Sequence, residues 1–325
     1  MFTLPLYVSI RLSYAARQRS PYGNDVKVYR ADNRDAGRNL AVEEWLLDRA
    51  ETLGPVLFLC RNDPAMVIGK NQNPWREIDL DAARLSGARV ARRVSGGGTV
   101  YHDAGNLNYS FIVPRTRYDA AAQFAAVIRA LAACGVAAEI GNRTNLCAGG
   151  RKISGNAFCL KARVAMHHGT LLVRTDLDRM RRLIPDPPPQ VEGHAVPSVP
   201  ATVANLANLA PGLTFEALER ALADAAASMW GGPVETLTDS DTEAWDWADI
   251  RCRHESWEWV YGRTPPFRMR LAGAALAGTS IVAHVVDGRL AGLAFDPPRD
   301  RPLPAALIGA PFDPAALARA AECPP

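Results

Sequence analysis

The chain has 325 residues, of which 48% are hydrophobic and 22% are charged, and its formal net charge is +3 at pH 7. This composition is typical of a globular protein that has room for one large domain and a smaller one. The small net charge and the scattered arginines argue against a nucleic-acid-binding protein, and no apolar run approaches the roughly 18 residues of a membrane-spanning helix. We therefore expect neither nucleic acid nor a membrane as a partner, and nothing in the sequence requires more than a monomer.

Most of the six cysteines are interpreted as ordinary small core residues. None of them form a C-x-x-C pair, and the histidines show no zinc-ligand spacing around them, so we expect no metal site. A disulfide framework is unusual in so large a chain, and the cysteines therefore indicate a reducing compartment.

Residues 1–26 predict a mitochondrial transit peptide. They carry Arg11, Arg17 and Arg19 together with several Ser and Tyr residues, and no acidic residue precedes Asp25. An arginine-rich, serine-containing and acid-free segment is typical of such a leader. A mobile terminus that happens to lack carboxylates is the alternative.

Apolar periodicity, capping residues and glycines predict a series of helices and strands after this segment. The first predicted helix is capped by Asn39 and has Val42, Trp45, Leu46 and Ala50 on one face, and strands at 56–60, 66–69 and 107–113 follow it. A second helix at 120–134 is capped by Asp119 and ended by Gly135, and after it we predict a strand at 170–173 and a loop at 185–200. A third helix runs from Thr214 to Met229 and is closed by Gly231, and the last predicted strands lie around 280–293. The polar stretch at 236–243 predicts a linker, so we divide the chain into units at 27–236 and 243–325.

Three consecutive glycines, Gly96 to Gly98, predict a ligand-binding loop. They bring no side chain to bury and cost backbone entropy, but they offer bare N–H groups and room for a ligand against the main chain. Arg92 and Arg93 directly precede them and supply forked donors that suit phosphate or carboxylate. Taken alone, the segment also fits a glycine-rich hairpin with solvated arginines.

A second segment places Lys152 beside an apolar residue and a Ser154-Gly155 turn. A lysine held in this way can stabilise an anion or donate to a carbonyl oxygen, although a lone lysine also fits an exposed surface position. His167 and His168 follow, and without a third ligand at helical spacing they indicate one core and one exposed imidazole rather than a metal site.

The order of these segments closely resembles the lipoate–protein ligase A and lipoyltransferase family. The resemblance spans about residues 37–320 and is carried by the NLAVEE run from Asn39 and by residues 61–75, 92–106, 152–155, 167–170 and 256–262. With the GTVYHD wording of the glycine loop and the N-terminal composition, the chain looks most like the mitochondrial lipoyltransferase branch. The resemblance implies an α/β (α+β) protein: a large domain of the biotin/lipoate ligase, class II synthetase-like fold, and a small C-terminal α+β accessory domain.

The resemblance also implies an activity. The chain would move an activated lipoyl group, lipoyl-AMP, onto a lysine of the lipoyl domains of 2-oxoacid dehydrogenase E2 subunits and of the glycine cleavage H protein, in the mitochondrial matrix. Lys152 would contact both the acyl carbonyl and the phosphate. The other residues implied to hold the acyl nucleotide are Arg92, Arg93, Ser95, Gly96, Gly97, Gly98, Thr99, Val100, Tyr101, Asn106, Arg143, Asn145, Ser154, Gly155, His168, Gly169 and Thr170.

The sequence departs from the family pattern at Asn145, where ligases that activate lipoate usually carry an Asp. An amide cannot supply the negative charge that attracts Mg²⁺, so this position favours transfer from a preformed donor over a full ATP-dependent ligase. The loop at 147–150 is short, and we expect a C-terminal unit shorter than is usual in the family. Two further alternatives are a thioester on Cys147 and a non-catalytic module that binds a lipoyl group or nucleotide.

Overall fold

The structure is a computed structural model, and it describes residues 26–142, 144–272, 280–298 and 305–322. Almost all of the predicted transit peptide, the predicted site residue Arg143 and the end of the chain lie outside these ranges. The strands are β1 (Val26–Arg30), β2 (Val56–Cys60), β3 (Ala65–Ile68), β4 (Arg89–Arg92), β5 (Val100–His102), β6 (Asn106–Pro114), β7 (Glu139–Ile140), β8 (Leu146–Ala148), β9 (Arg151–Ser154), β10 (Asn156–Leu160), β11 (Val164–Leu172), β12 (Gln190–Gly193), β13 (Val234–Leu237), β14 (Phe267–Ala272), β15 (Ser280–Val286) and β16 (Arg289–Asp296).

The helices alternate with these strands. They are α1 (Ala36–Asp48), α2 (Ala50–Leu53), α3 (Pro74–Glu77), α4 (Leu80–Leu85), α5 (Ala120–Ala133), α6 (Leu177–Arg182), α7 (Phe215–Trp230), α8 (Ala248–Glu255) and α9 (Pro314–Glu322). A π-helical turn, Glu258–Gly262, follows α8. Within the described ranges, none of the helices are both long and apolar enough to cross a membrane.

A six-stranded mixed sheet in the order β10-β11-β6-β2-β1-β13 is the centre of the molecule. Strands β1, β2 and β13 run parallel to their neighbours in this group, and β6, β11 and β10 continue the sheet antiparallel. Alternate side chains pack on opposite faces: Leu57 and Leu59 meet α5 and α7, whereas Phe58 packs with Trp45 of α1. Burial on both faces explains why β2 is a continuous apolar run.

Helices α5 and α7 begin at their predicted capping residues. The Asp119 side chain accepts from the backbone N of Ala122 at 3.0 Å, and the Thr214 side chain accepts from the backbone N of Ala217 at 3.1 Å. Gly135 has a φ of 79°, in the left-handed region where helices end on glycine. The strand predictions at 56–60, 66–69 and 107–113 are confirmed by β2, β3 and β6, and the strand at 170–173 is the end of the longer β11.

Helix α1 begins earlier than predicted. Its N-cap is Asp35, whose Oδ1 accepts from the backbone N of Arg38 at 2.8 Å, so the predicted cap at Asn39 is wrong. Asn39 lies inside the helix, and its Nδ2 donates to Oδ1 of Asn62 at 2.7 Å. Both residues are cap formers, and only the path of the preceding chain decides between them.

The segment predicted as a loop at 185–200 contains a strand. Gln190–Gly193 pairs antiparallel with β14 in a four-stranded sheet of order β12-β14-β15-β16. Its partner Arg270 lies 80 residues beyond Gln190, so periodicity within the segment could not reveal it. The smaller sheets β4-β3-β5 and β7-β8-β9 flank the central sheet and carry the glycine loop and Lys152.

The polar stretch at 236–243 is fixed to the large unit. Thr236 pairs with Val28, and Asp239 accepts from the Tyr29 hydroxyl at 2.6 Å. The following aromatic segment also packs here, with Trp245 stacked on Trp45 at 4.1 Å between ring centroids. The division of the chain at 236 and 243 remains a prediction.

Candidate active site

A cavity of about 820 Å³ lies between the glycine loop, the ends of β6, β9 and β11, and residues 196–202. Its volume lies in the range typical of sites for small molecules and cofactors. Eleven of the predicted site residues line it: Arg93, Gly97, Gly98, Thr99, Val100, Asn145, Lys152, Gly155, His168, Gly169 and Thr170. The structure therefore brings together segments that are up to 77 residues apart in the sequence.

The glycine loop presents free backbone donors. The N–H groups of Gly96, Gly97 and Gly98 meet no acceptor among the described residues. Gly97 has a φ of 89°, which L-amino acids with a side chain rarely adopt. A Cβ added to Gly69 would lie 2.3 Å from the carbonyl oxygen of Gly97, so glycine there allows two loops to touch. Successive unpaired N–H groups in such a loop form an anion-binding concavity.

Arg93 shapes this loop from within. Its Nη2 donates to the carbonyl oxygens of Gly96 at 2.6 Å and Gly98 at 2.7 Å, and its Nη1 donates to that of Val67 at 3.0 Å. Nε donates to the Ser95 hydroxyl at 3.0 Å. Burial lowers the pKa of Arg93 to about 10, so it stays charged at neutral pH. One N–H of Nη1 remains unused within the described residues and is available to a ligand.

Lys152 lies on β9, half-buried at the wall of the cavity. Its Nζ has no hydrogen-bond or ion-pair partner in the part of the chain that the structure describes. Burial lowers its pKa; Cys147 opposes this and the positive charge of Arg93 adds to it. A Cβ added to Gly155 would lie 3.1 Å from Nζ, so the glycine leaves room for the ammonium. An unpaired ammonium beside free N–H groups is suited to an anionic ligand.

A buried polar chain supports the glycine loop. Nδ1 of His168 lies 2.8 Å from Oε1 of Glu43, and Nε2 of His168 lies 2.6 Å from the Ser95 hydroxyl, which in turn accepts from Arg93. The Ser110 hydroxyl donates to Glu43 at 2.5 Å. Burial raises the pKa of Glu43, but the contacts with His168 and Ser110 outweigh it, so the net pKa lies below its ordinary value.

His102 adds a neutral polar group to the cavity wall. Its Nδ1 accepts from Nδ2 of Asn62 at 2.8 Å, since Oδ1 of the same amide accepts from Asn39. Burial, together with the positive charge of Arg93, lowers the pKa of His102 to about 3. His102 is therefore an uncharged imidazole at neutral pH.

The structure contradicts the prediction that Arg92 holds the acyl nucleotide. It is fully buried outside the cavity, and its guanidinium donates to the carbonyl oxygens of Gly69, Lys70, Gln72, Trp259 and Val260 and to the Thr264 hydroxyl at 2.6 to 3.2 Å. All five of its N–H groups have protein acceptors, so none remains for a nucleotide. Its neighbour Arg93 directly follows β4, and its backbone N still donates to the carbonyl oxygen of Ile68 at 3.0 Å. It points to the opposite side because successive residues of an extended chain face opposite ways.

Five other predicted residues do not line the cavity: Ser95, Gly96, Tyr101, Asn106 and Ser154. Ser95 supports the loop through its contacts with Arg93 and His168. Tyr101 packs into an apolar cluster with Met66, and Asn106 donates to Asn108 at 2.9 Å. These residues shape the strands around the site and do not border the cavity directly.

Asn145 lines the cavity, as the resemblance implied. Across residues 26–142, 144–272, 280–298 and 305–322, the structure shows no group of three or more His, Cys, Asp or Glu side chains that could hold a metal ion.

Sequence reasoning missed several polar residues that the fold brings to the site, namely Glu43, Asn62, His102, Asn156 and Ser198. The signal for Glu43 was the NLAVEE run, which also reads as an amphipathic helix. Asn62 and His102 lie in the segments at 61–75 and 92–106 that carry the resemblance, and Asn156 directly follows the segment at 152–155, whereas Ser198 lies in the segment predicted as a loop.

The family model of the lipoyl protein ligase A/B catalytic domain matches residues 35–227, a range that includes the glycine loop and Lys152. The chain belongs to this family. Mouse (Mus musculus) mitochondrial lipoyl amidotransferase LIPT1 is 38% identical to it over 240 residues, which make up 72% of this chain and 64% of the mouse protein. The chain thus matches a little less than two thirds of the length of that relative.

Solved structures agree on the fold of this lipoyl protein ligase family member. P. falciparum LipL1 in complex with lipoate superposes with a TM-score of 0.65 at 24% identity, covering 83% of this chain and 84% of that one. Lipoate-protein ligase A bound with ATP gives a TM-score of 0.60 at 24% identity, covering 72% of this chain and 97% of that one. The predicted mixed α/β fold of the lipoate ligases is confirmed.

Proposed function

We propose that this chain is a lipoyl amidotransferase. It takes an activated lipoyl group, lipoyl-AMP or a closely related acyl nucleotide, and forms an amide with a lysine of a lipoyl domain. The acceptors are the lipoyl domains of 2-oxoacid dehydrogenase E2 subunits and the glycine cleavage H protein, and the location is the mitochondrial matrix. The similarity to the mouse mitochondrial enzyme and the arginine-rich N-terminus support this assignment.

One observation carries the proposal: the unpaired ammonium of Lys152 and the free N–H groups of Gly97 and Gly98 border one cavity. An acyl adenylate is a mixed anhydride whose acyl carbonyl lies next to a charged phosphate. A lysine and backbone donors match this pairing because both parts gain negative charge during transfer. The donor already carries its leaving group, so the chemistry requires no nucleophile from the enzyme.

The transfer step balances without any further reactant. The neutral amine of the acceptor lysine attacks the acyl carbon, and the carbonyl oxygen takes the negative charge of the tetrahedral intermediate. The bond between the acyl carbon and the phosphate oxygen then breaks, AMP leaves with the electron pair, and the amine nitrogen releases one proton to the solvent. Lys152 would stabilise the carbonyl oxygen and the departing phosphate, and the cavity would hold both partners in register.

Incubation of the purified protein with lipoyl-AMP and an apo lipoyl domain tests the proposal. We expect a mass gain of one lipoyl group on the acceptor, located on its target lysine by peptide mapping. A protein that binds lipoyl-AMP but leaves the acceptor unmodified would instead be a binding module. The same assay with apo H protein tests the second acceptor.

The full ligase remains the alternative function, and a solved relative of the same fold holds ATP. Asn145 lines the cavity at the position where the family pattern predicts an acidic side chain, which removes a charge that would attract Mg²⁺. We therefore expect little or no lipoate-dependent exchange of pyrophosphate into ATP. Robust exchange would replace the transferase assignment with that of a ligase.

A covalent route through Cys147 has less support from the geometry. Cys147 borders the cavity and is the cross-strand neighbour of Lys152. Among the described residues, neither a histidine nor a carboxylate forms a hydrogen bond with its thiol, so no general base is positioned to activate it. We expect Cys147→Ser to retain transfer, and mass spectrometry to detect no acyl adduct on this cysteine.

A further inference from the structure

We propose that Gln72 is a positioning residue of this site. Its side chain fastens residues 196–202, which we call the strap, to the glycine loop and so sets how long an activated acyl nucleotide stays in the cavity. The inference rests on the proposed function for its ligand, and it assigns a role to a residue that lies outside the cavity wall.

The amide of Gln72 is fully buried and fully used. Its Oε1 accepts from the backbone N of Gly69 and from the Thr99 hydroxyl, both at 2.9 Å. Its Nε2 donates to the Ser198 hydroxyl at 3.1 Å and to the carbonyl oxygen of Val196 at 3.3 Å. A primary amide has two acceptor sites and two donors, so each one has a partner here. The acceptor side holds the glycine loop and the donor side holds the strap.

Ser198 is the matching contact on the strap. Its hydroxyl oxygen accepts from Gln72 and also from the backbone N of Thr99 at 2.9 Å. Its own N–H donates to the Glu77 carboxylate at 3.2 Å. One half-buried serine therefore joins the strap to the loop, to Gln72 and to α3.

The strap spans the cavity between two fixed ends. At one end, the backbone N of Val196 donates to the carbonyl oxygen of Asn71 at 3.2 Å. At the other, the backbone N of Lys152 donates to the carbonyl oxygen of Thr202 at 2.9 Å. Between these ends the strap lines the same cavity as Gly97 and Gly98.

The strap has little apolar packing. Val196 is 47% exposed and Val199 is 58% exposed, so their side chains do not hold the segment down. Segments with few buried apolar contacts open at low free-energy cost. The polar contacts of Gln72 and Ser198 therefore provide most of the interaction that holds the strap against the cavity. Their loss would let the strap move away, so that water could enter and the ligand could leave.

Arg92 fixes Gln72 in turn. The Arg92 guanidinium donates to the carbonyl oxygen of Gln72 at 2.9 Å while it also holds Val260 at 2.6 Å. The backbone of Gln72 cannot shift without breaking this contact. The amide is thus presented from a rigid base, which is what a side chain that positions two loops requires.

Retention of a stable ligand tests the proposal. The probe is the sulfamate analogue of lipoyl-AMP, labelled and preloaded, and its dissociation is followed after a chase with unlabelled analogue. We expect Ser198→Ala to raise the dissociation rate about tenfold, the size expected for one to two net hydrogen bonds. Single-turnover transfer from lipoyl-AMP at saturation should fall less than the dissociation rate rises.

Matched variants separate closure from general stability. Ser198→Thr keeps the hydroxyl and should restore slow dissociation, and Ser228→Ala, at an exposed position of α7, should leave it unchanged. Gln72→Glu keeps the shape but cannot donate to the strap, and it should dissociate fast as well. Combined with Ser198→Ala, it should raise the dissociation rate by less than the product of the two single effects, since both changes break the contact between the Gln72 amide and the Ser198 hydroxyl.

The results for the variants and for the wild-type protein separate a failure of this inference from a failure of the proposed function. If Ser198→Ala released the analogue at the wild-type rate, the proposed role of the contact between Gln72 and Ser198 would be refuted, even if Gln72→Glu does not fold. The role would also be refuted if the increases in dissociation rate of the two single variants multiplied in the double variant. If the wild-type protein holds and transfers the lipoyl group but all variants retain the analogue equally, only this inference fails. If the wild-type protein does not bind the analogue, the proposed function fails and the inference with it.

Discussion

Oε1 of Glu43 lies 2.8 Å from Nδ1 of His168, and this contact joins helix α1 to strand β11 at the wall of the cavity. The other nitrogen of the imidazole reaches the Ser95 hydroxyl, beside Arg93. A residue that sequence analysis places in an amphipathic helix therefore supports the glycine loop through one histidine. Helix, strand and loop are held as one polar unit at the wall of the cavity.

Substitution of Glu43 should show that hydrogen bonding holds this unit. Glu43→Ala leaves Ser110 and His168 buried without their acceptor, so we expect the free energy of unfolding to fall by about 3 kcal/mol. Glu43→Gln keeps an oxygen that accepts both bonds and should lose clearly less. Urea denaturation measures both values, and equal losses would mean that the charge matters more than the bonds.

Lys152→Met should lower the rate of lipoyl transfer by about 10²–10³-fold, the usual loss for one donor that stabilises transition-state charge. Met preserves the length and the apolar stem, so stability should change little. The measurement is single-turnover transfer from lipoyl-AMP to an apo lipoyl domain. Lys161→Met is the matched control, because Lys161 is exposed and pairs with Asp48. Equal rates in the two variants would exclude Lys152 from the chemistry.

Arg92 should act on stability and not by direct contact with the nucleotide. Arg92→Met removes the donor from several buried carbonyl oxygens at roughly 1–3 kcal/mol each, so we expect a loss of about 3 kcal/mol or more in the free energy of unfolding. Arg84→Met, at an exposed position paired with Asp81, should cost less than about 0.5 kcal/mol. If Arg92→Met kept its stability but lost affinity for lipoyl-AMP, the original sequence prediction would be restored.

The protein should lose stability as the pH falls from 7 to 5. Burial lowers the pKa of His102 and of His167 to about 3, whereas each binds a proton near pH 6.5 in the unfolded chain. The folded state stays neutral at both positions over this range while the unfolded state gains protons. The free energy of unfolding should therefore fall by on the order of 2 kcal/mol per histidine.

Two variants test the source of this pH dependence. His102→Asn keeps an acceptor for Asn62, and His167→Gln keeps a donor for Asn156, which His167 contacts at 3.0 Å. Each should remove about half of the loss between pH 7 and pH 5 in urea denaturation. An unchanged slope in both variants would assign the effect to other groups.

Local sequence signals predict many of the helices and strands of this fold. Asp119 and Gly135 delimit α5 because a side-chain cap and a left-handed glycine act within one helical turn. Strand β12 is not visible in this way, because what makes it a strand is its pairing with β14, more than 70 residues away. The same holds for Gln72, whose amide meets Ser198 only in the folded chain.

The candidate site also combines features that are visible in the sequence with features that arise only from tertiary packing. The sequence alone marked the glycine loop and Lys152 as candidate site residues and indicated the family, because these residue types and their order along the chain are visible without the folded structure. Only the tertiary structure decided which of the two arginines faces the cavity. Neighbours on a strand point to opposite faces, and the packing of Trp259 and Val260 over one face encloses Arg92 and leaves Arg93 on the face toward the cavity.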